Sequence, residues 1–360
     1  MPITRITKYA LLFILSSISG TSLEATASTG NTNTLIDKLE TIVSKQREDR
    51  AGISVLVRKN QNIIFKRSKG LANKHKGIAI NANTGFRVGS ISKPFTALAI
   101  MKLVEQQEIA LNEPVTNFIP KLHSGWNNIS IADLLTHRVH VSRDFFSDEN
   151  LRIANLSTNQ DLVNYLSSDK TKVTTLAFNK ARYCNSCYVL LAEVISKVSQ
   201  IGFSKYLEKN IFLPANMKDS YIVEKGVSLR DDDALNYANT ELFFGIVQYT
   251  TGAMAQVSSI DDLNSFIDAL NQNRIVSQAT KNLMTKVHAD LGDEGTFGLG
   301  WIIGWGDQPF FSHGGSQDGY QSELFFYPKY DLEIAILTNG GNETYELQRQ
   351  LMKTIITHFR

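Results

Sequence analysis

The sequence predicts an α+β protein: an antiparallel sheet assembled from both ends of the chain, flanked by helices, with a mainly helical region inserted between. Three observations carry this: a β-branched hairpin pattern near the start, four strand-like runs in quick succession near the end, and helical spacing between them. A length of 360 residues suits about two lobes of ordinary size. Hydrophobic residues make up 42% and charged residues 20%, which excludes a disordered chain. Lys plus Arg number 37 against 35 Asp plus Glu, so a net charge of +2 gives no basic footprint for nucleic acid. Two cysteines are too few for a disulfide scaffold. Function must therefore lie in a site.

Taken in order, Arg5 and Lys8 precede an apolar stretch from Tyr9 to Ile18, and Ala25 to Ala27 offer small residues for cleavage. That is the pattern of a secretory signal peptide over residues 1–27. The apolar run is shorter than the roughly 20 residues a membrane span needs. The expected mature chain, 28–360, is periplasmic or secreted and holds no stable membrane span. A polar tether over 28–34 leads into helical spacing from Leu35 to Gln46. Runs at 52–58 and 62–67 read as a hairpin around Lys59 to Gln61. Helical spacing recurs at Phe95 to Gln107, Ser130 to Thr136, Tyr188 to Val198 and Ile260 to Leu270. Strands follow at 297–305, 309–313, 322–327 and 332–337, then a closing helix from Glu343 to His358. The sheet lobe is thus 28–93 with 295–360, and the helical lobe is 94–294. A cleft between such lobes is where a site belongs.

The strongest local signal is Ser90 with Lys93, three residues apart ahead of an apolar run that begins at Pro94. At a helix start the hydroxyl and the amine share one face, one turn apart. Burying a lysine lowers its pKa, so Lys93 can take a proton from the serine, while the open N–H of a helix start can stabilise an oxyanion. A second Ser-x-x-Lys, Ser167 to Lys170, sits in a polar cluster with no buried run behind it and reads as chance.

Two further elements follow in order. Tyr183 and Asn185 place a phenol and an amide two residues apart just before an apolar helix, and His313, Gly314 and Gly315 fall on a predicted strand, followed by Ser316. With all three elements present, the chain resembles the serine β-lactamase and penicillin-binding protein family. The nearest branch holds class C β-lactamases, D-alanyl-D-alanine carboxypeptidases and lipase-like esterases; its elements are Ser-x-x-Lys, Tyr-x-Asn, and Lys-Thr-Gly or His-x-Gly. The resemblance also takes in residues 132–137, 252–266 and 325–339. A competing Tyr-x-Asn at Tyr237 lacks the apolar helix behind it and reads as a rim residue.

The resemblance implies a β-lactamase/transpeptidase-like fold and an acyl-enzyme mechanism. Ser90 attacks a carbonyl, with Lys93 and Tyr183 sharing the proton transfer. The N–H groups of Ser90 and Ser316 form the oxyanion hole. Asn185 holds the substrate amide, His313 links Tyr183 to the ligand, and Gly314 and Gly315 let the strand approach the substrate. No metal or organic cofactor is implied. The expected substrate is a small peptide, lactam or ester, peptidoglycan included, with a D-alanyl-D-alanine carboxypeptidase-like peptidase as the leading reading. A β-lactamase, a family-related esterase and a catalytically silent penicillin-binding protein of the cell wall are the alternatives.

Three departures from the family pattern matter. After His137 a Thr-Ser-Gly-Leu is usual, whereas residues 138–141 read Arg-Val-His-Val. His137 and His140 have no evident carboxylate or thiol partner, so a structural histidine is favoured over a metal ligand. Cys184 and Cys187 stand where a small residue and a glycine are usual. A Cys-x-x-Cys at a helix start can be a redox pair; buried or partly buried thiols are the default reading, and a bridge between the two stays open. His313 replaces the lysine of true β-lactamases; a histidine with a pKa of about 6.5 would present charge to a substrate carboxylate only in mild acid. That weakens the antibiotic-hydrolysis reading.

Overall fold

The computed structural model describes residues 32–142, 157–168, 171–237, 249–290, 295–304 and 309–359. The signal-peptide segment lies outside the described residues, as do Lys170, Ala238 and Asn239. Helix α1 (Thr32–Ser44) buries Leu35, Leu39, Ile42 and Val43 along one stripe. Strands β1 (Ile53–Lys59) and β2 (Asn62–Lys69) form the expected hairpin. Its two turn residues, Asn60 and Gln61, take φ of 50° and 62°, the backbone hand that two-residue hairpins use. Short strands β3 (Leu71–Asn73), β4 (Ile78–Ala79) and β5 (Phe86–Arg87) lead to a 3-10 turn, Gly89–Ile91, and then to α2 (Ser92–Glu105).

The inserted region contains α3 (Ile131–Leu135), β6 (Val139–Val141), α4 (Asn159–Leu166), β7 (Val173–Thr175) and α5 (Asn185–Ser199). It continues through α6 (Phe203–Leu207), β8 (Tyr221–Ile222), β9 (Gln256–Ser258), α7 (Ile260–Asn271) and α8 (Gln278–Met284). The chain then runs through β10 (Ala289–Asp290), β11 (Thr296–Phe297), β12 (Ile302–Gly304), β13 (Phe310–Gln317), β14 (Tyr320–Tyr327), β15 (Leu332–Thr338) and α9 (Asn342–Phe359).

Eight strands make the main sheet in the order β10-β11-β12-β13-β14-β15-β1-β2, all antiparallel. The join between the two ends of the chain is β1 on β15, from Ile53 opposite Thr338 to Lys59 opposite Leu332. Alternation along these strands splits the apolar residues between two cores. Val55, Val57, Ile334 and Ile336 face Leu351 of α9 and the α1 stripe. Leu56, Ala335, Leu337 and Leu324 join the larger core under the helices, with Phe95 and Leu98 of α2.

Two expectations need correcting. The sheet reaches back to Ala289, ahead of the boundary drawn at 295. The run 297–305 is not one strand: the chain breaks between β11 and β12 at Gly300, whose φ is +84°. A Cβ there would stand 2.3 Å from the Ala97 side chain, so the turn presses against α2 and only glycine fits.

Candidate active site

Helix α2 carries no polar face, because Ser92 to Met101 are all buried. It runs through the middle of the molecule, and its entry turn delivers Ser90 to the edge of β13. The close approach of turn and strand depends on two glycines. Gly89, at φ +52°, has no room for a Cβ, which would lie 2.8 Å from the Ser316 N. A Cβ on Gly315 would lie 2.0 Å from the Val88 O. The Ser322 hydroxyl donates to that same carbonyl at 2.7 Å and locks the turn onto the sheet. Ser316 thereby packs against Gly89, the residue next to Ser90, which suits an oxyanion hole made from the Ser90 and Ser316 N–H groups.

The two strand glycines also have packing roles. Gly315 lets the Ser90 turn sit against the strand. Gly314 faces the other side of the sheet, where Glu323 is the nearest group to its missing Cβ at 3.2 Å.

Lys93 is fully buried and its ammonium has three acceptors. It donates to Ser90 Oγ at 3.0 Å, to Asn185 Oδ1 at 2.7 Å and to the Ala253 carbonyl at 3.0 Å. It also lies 4.8 Å from the centre of the Tyr183 ring and 5.6 Å from that of Tyr188. A buried cation needs such a shell of oxygens and ring faces. Asn185 is the first residue of α5; its amide oxygen accepts from Lys93, which directs its NH₂ to act as a donor elsewhere.

The Tyr183 hydroxyl is buried, and burial pushes its pKa well up; Ser90, on the hydroxyl's side, offsets part of that. It makes no complete hydrogen bond among the described residues. Tyr183 is therefore a phenol, a proton donor waiting for an acceptor. His313 is also fully buried, with ring centres 6.3 Å apart from Tyr183. Its Nδ1 donates to the Gly314 carbonyl at 2.7 Å, which leaves the lone pair on Nε2, buried and without a hydrogen-bond partner among the described residues.

The expectation that His313 charges in mild acid is overturned. Burial, and then the positive charge of Lys93, hold its pKa down at about 3. It is a neutral acceptor across the physiological range.

The Cys184–Cys187 pair is also corrected: the two form a disulfide. Cys184 is the N-cap of α5 and Cys187 lies in its first turn, with Cα atoms 5.4 Å apart, within bridging range. The residues after His137 form a small ribbon, β6 on β7. Arg138 reaches back to Asp133 at 3.1 Å, and the His140 ring meets the Arg182 guanidinium at 3.1 Å. His137 turns instead to Cys184, whose N–H donates to its Nδ1 at 3.0 Å. Among the described residues no cluster of metal-ligating side chains occurs. Ser167 closes α4, its hydroxyl donating to the Val163 carbonyl at 2.7 Å. Tyr237 lies away from Lys93, with its N–H on the Asn339 carbonyl and its ring beneath Lys74.

A serine, a buried lysine bonded to it, a phenol and an amide converge beside a paired-strand edge. A family model described as Beta-lactamase matches residues 39–354. The chain belongs to the beta-lactamase family. Within that family it is 26% identical over 323 residues to Penicillin-binding protein 4* of Bacillus subtilis (strain 168), covering 83% of this chain and 70% of that protein. Two solved structures share the β-lactamase/transpeptidase-like fold. D-amino acid amidase from Ochrobactrum anthropi SV3 superposes with a TM-score of 0.71 at 21% identity, over 90% of this chain and 98% of that one. EstCE1, a hydrolase with promiscuous acyltransferase activity, superposes with a TM-score of 0.76 at 18% identity, over 90% and 99%. Sequence reasoning reached this beta-lactamase family through Ser90, Lys93, Tyr183, Asn185 and His313. It missed the structural work of Gly89 and the acceptor role of Ala253.

Proposed function

We propose that the protein is a serine hydrolase that forms an acyl-enzyme on Ser90 and acts on an amide or ester whose leaving group carries no free carboxylate. The observation that carries this reading is the full burial of His313 with its Nδ1 bonded to the Gly314 carbonyl; burial together with the charge of Lys93 lowers its pKa. With its lone pair on Nε2, His313 accepts a hydrogen bond from substrate and offers no cation to a carboxylate. For the attack Lys93 acts as the neutral amine and takes the Ser90 proton; the Tyr183 phenol gives its own proton to the leaving group and is reprotonated from Lys93. Water then releases the acyl group. The fold shared with a D-amino acid amidase and with EstCE1, a hydrolase, supports a hydrolase of this class. A D-alanyl-D-alanine carboxypeptidase acting on cell-wall peptide is the second reading, supported by the similarity to Penicillin-binding protein 4*.

A paired-substrate measurement separates the two readings. The ratio of kcat/KM for a neutral acyl-D-alanine methyl ester to that for the matching acyl-D-alanyl-D-alanine acid is expected to favour the ester. It is also expected to stay flat between pH 5 and 8, because a histidine with a pKa of about 3 does not charge there. A ratio that shifts towards the acid as pH falls through 6.5 would restore His313 as a carboxylate reader and favour the peptidase.

We further propose export with removal of residues 1–27. The signal-like pattern supports this, and so does the Cys184–Cys187 disulfide, a bond that persists in oxidising compartments. The expected result is a secreted chain whose mass begins at Ser28; a chain retained with residues 1–27 attached would count against it.

A further inference from the structure

We infer that His137 is a positioning residue for the Tyr183 phenol, holding the backbone on either side of it and its ring face. The inference rests on the acyl-enzyme reading above and deepens it. His137 sits just past α3 and takes φ +58°, a left-handed conformation unusual for a histidine. From there it makes three contacts with one short segment. Its carbonyl accepts the Arg182 N–H at 2.9 Å. Its Nδ1 accepts the Cys184 N–H at 3.0 Å. Its ring stacks on the Tyr183 ring, centres 4.6 Å apart and planes 23° from parallel. Residues 182, 183 and 184 are thus all held by one side chain and its own backbone.

The clamp is itself braced. The His137 ring is packed by Tyr188 at 5.1 Å and by Phe297, edge-on, at 4.7 Å. Cys184 is tied from its other side to Cys187 in the first turn of α5. Because Nδ1 accepts a hydrogen bond, the ring proton sits on Nε2, and the bond holds only while the imidazole is neutral. Burial and the charge of Lys93 disfavour the imidazolium, which agrees with that requirement. The unusual backbone of His137 is tolerated because the surrounding contacts over-determine it.

If His137 positions Tyr183, its loss must resemble loss of the phenol. Tyr183 protonates a leaving group, so an alkyl ester should need it far more than a 4-nitrophenyl ester of the same acid, whose leaving group departs unaided. All rates are taken per labelled site, after titration with a serine-directed phosphonate, which removes any loss from misfolded protein. His137→Leu is expected to lower kcat on the alkyl ester by about 100-fold, the scale of a small misplacement, with a much smaller fall on the 4-nitrophenyl ester. His137→Asn keeps an acceptor and a residue that tolerates a left-handed backbone, and should recover most of that loss. Tyr183→Phe should show the same leaving-group bias, and the double variant His137→Leu/Tyr183→Phe should be no slower than Tyr183→Phe alone.

Equal losses on both esters, an Asn variant no better than Leu, or additive losses in the double variant would each overturn the positioning role while leaving the serine hydrolase reading intact. A wild-type protein that takes no phosphonate label would overturn the hydrolase reading itself, and this inference with it.

Discussion

Ser90→Ala is expected to abolish covalent labelling by a serine-directed phosphonate or a penicillin, while Ser167→Ala leaves labelling unchanged. Both serines start a Ser-x-x-Lys pattern, so the comparison isolates environment from motif. Ser90 stands in the turn that enters a helix buried from Ser92 to Met101, with the Lys93 ammonium 3.0 Å from its oxygen and Ser316 against the adjoining Gly89. Ser167 spends its hydroxyl on the carbonyl one turn back, a bond that closes a helix and activates nothing. Hydrolysis in Ser90→Ala should fall to whatever the oxyanion hole and binding alone retain, a loss on the order of a million-fold in comparable nucleophile deletions. Intact-protein mass spectrometry after labelling reads the result directly. A label that survives Ser90→Ala, or one lost in Ser167→Ala, would reverse the assignment.

The amino-acid sequence makes a feature legible when the interactions behind it are short in range. Ser90 and Lys93 are three residues apart on one helix entry, so their contact is a local matter of helical spacing. Tyr183 and Asn185 were legible for a similar reason, since they sit at the start of an apolar helix whose pattern is strong. The main sheet followed from β-branched runs at both ends, while the pair that joins those ends, β1 on β15, shows only in the folded chain.

What escaped depends on neighbours brought from afar. The charge state of His313 is set by its burial and by Lys93, 220 positions earlier in the chain, and no local pattern records either. The disulfide became visible only once Cys184 was placed as the N-cap of α5, which turns its sulfur towards Cys187. The break at Gly300 arises because α2 blocks the path of a continuous strand. His137 looked structural because its partners, residues 182 to 184, lie about 45 positions away and meet it only in the folded chain.

Gly315→Ala is expected to cost more activity than any other single-methyl change in this strand. The added Cβ would stand 2.0 Å from the Val88 O and 2.4 Å from Ser322 Oγ. The first is a backbone atom one residue before Gly89, so it cannot yield without moving the turn that holds Ser90. The second donates the hydrogen bond that locks the turn to the sheet, so that bond is strained as well. Overpacking of this kind costs about 1–3 kcal/mol of stability. Displacing the nucleophile from the Ser316 N–H by about 1 Å costs on the order of 100-fold in rate. Gly314→Ala is the control, because its Cβ would meet only the far end of the Glu323 side chain, at 3.2 Å. Thermal melting and phosphonate acylation rates on both variants test the difference. The Gly315 variant should lose acylation rate beyond what its lower melting temperature explains, and Gly314→Ala should lose far less. If Gly314→Ala proves equal or worse, the strand does not seat the nucleophile turn through Gly315, and Gly314 must face the substrate after all.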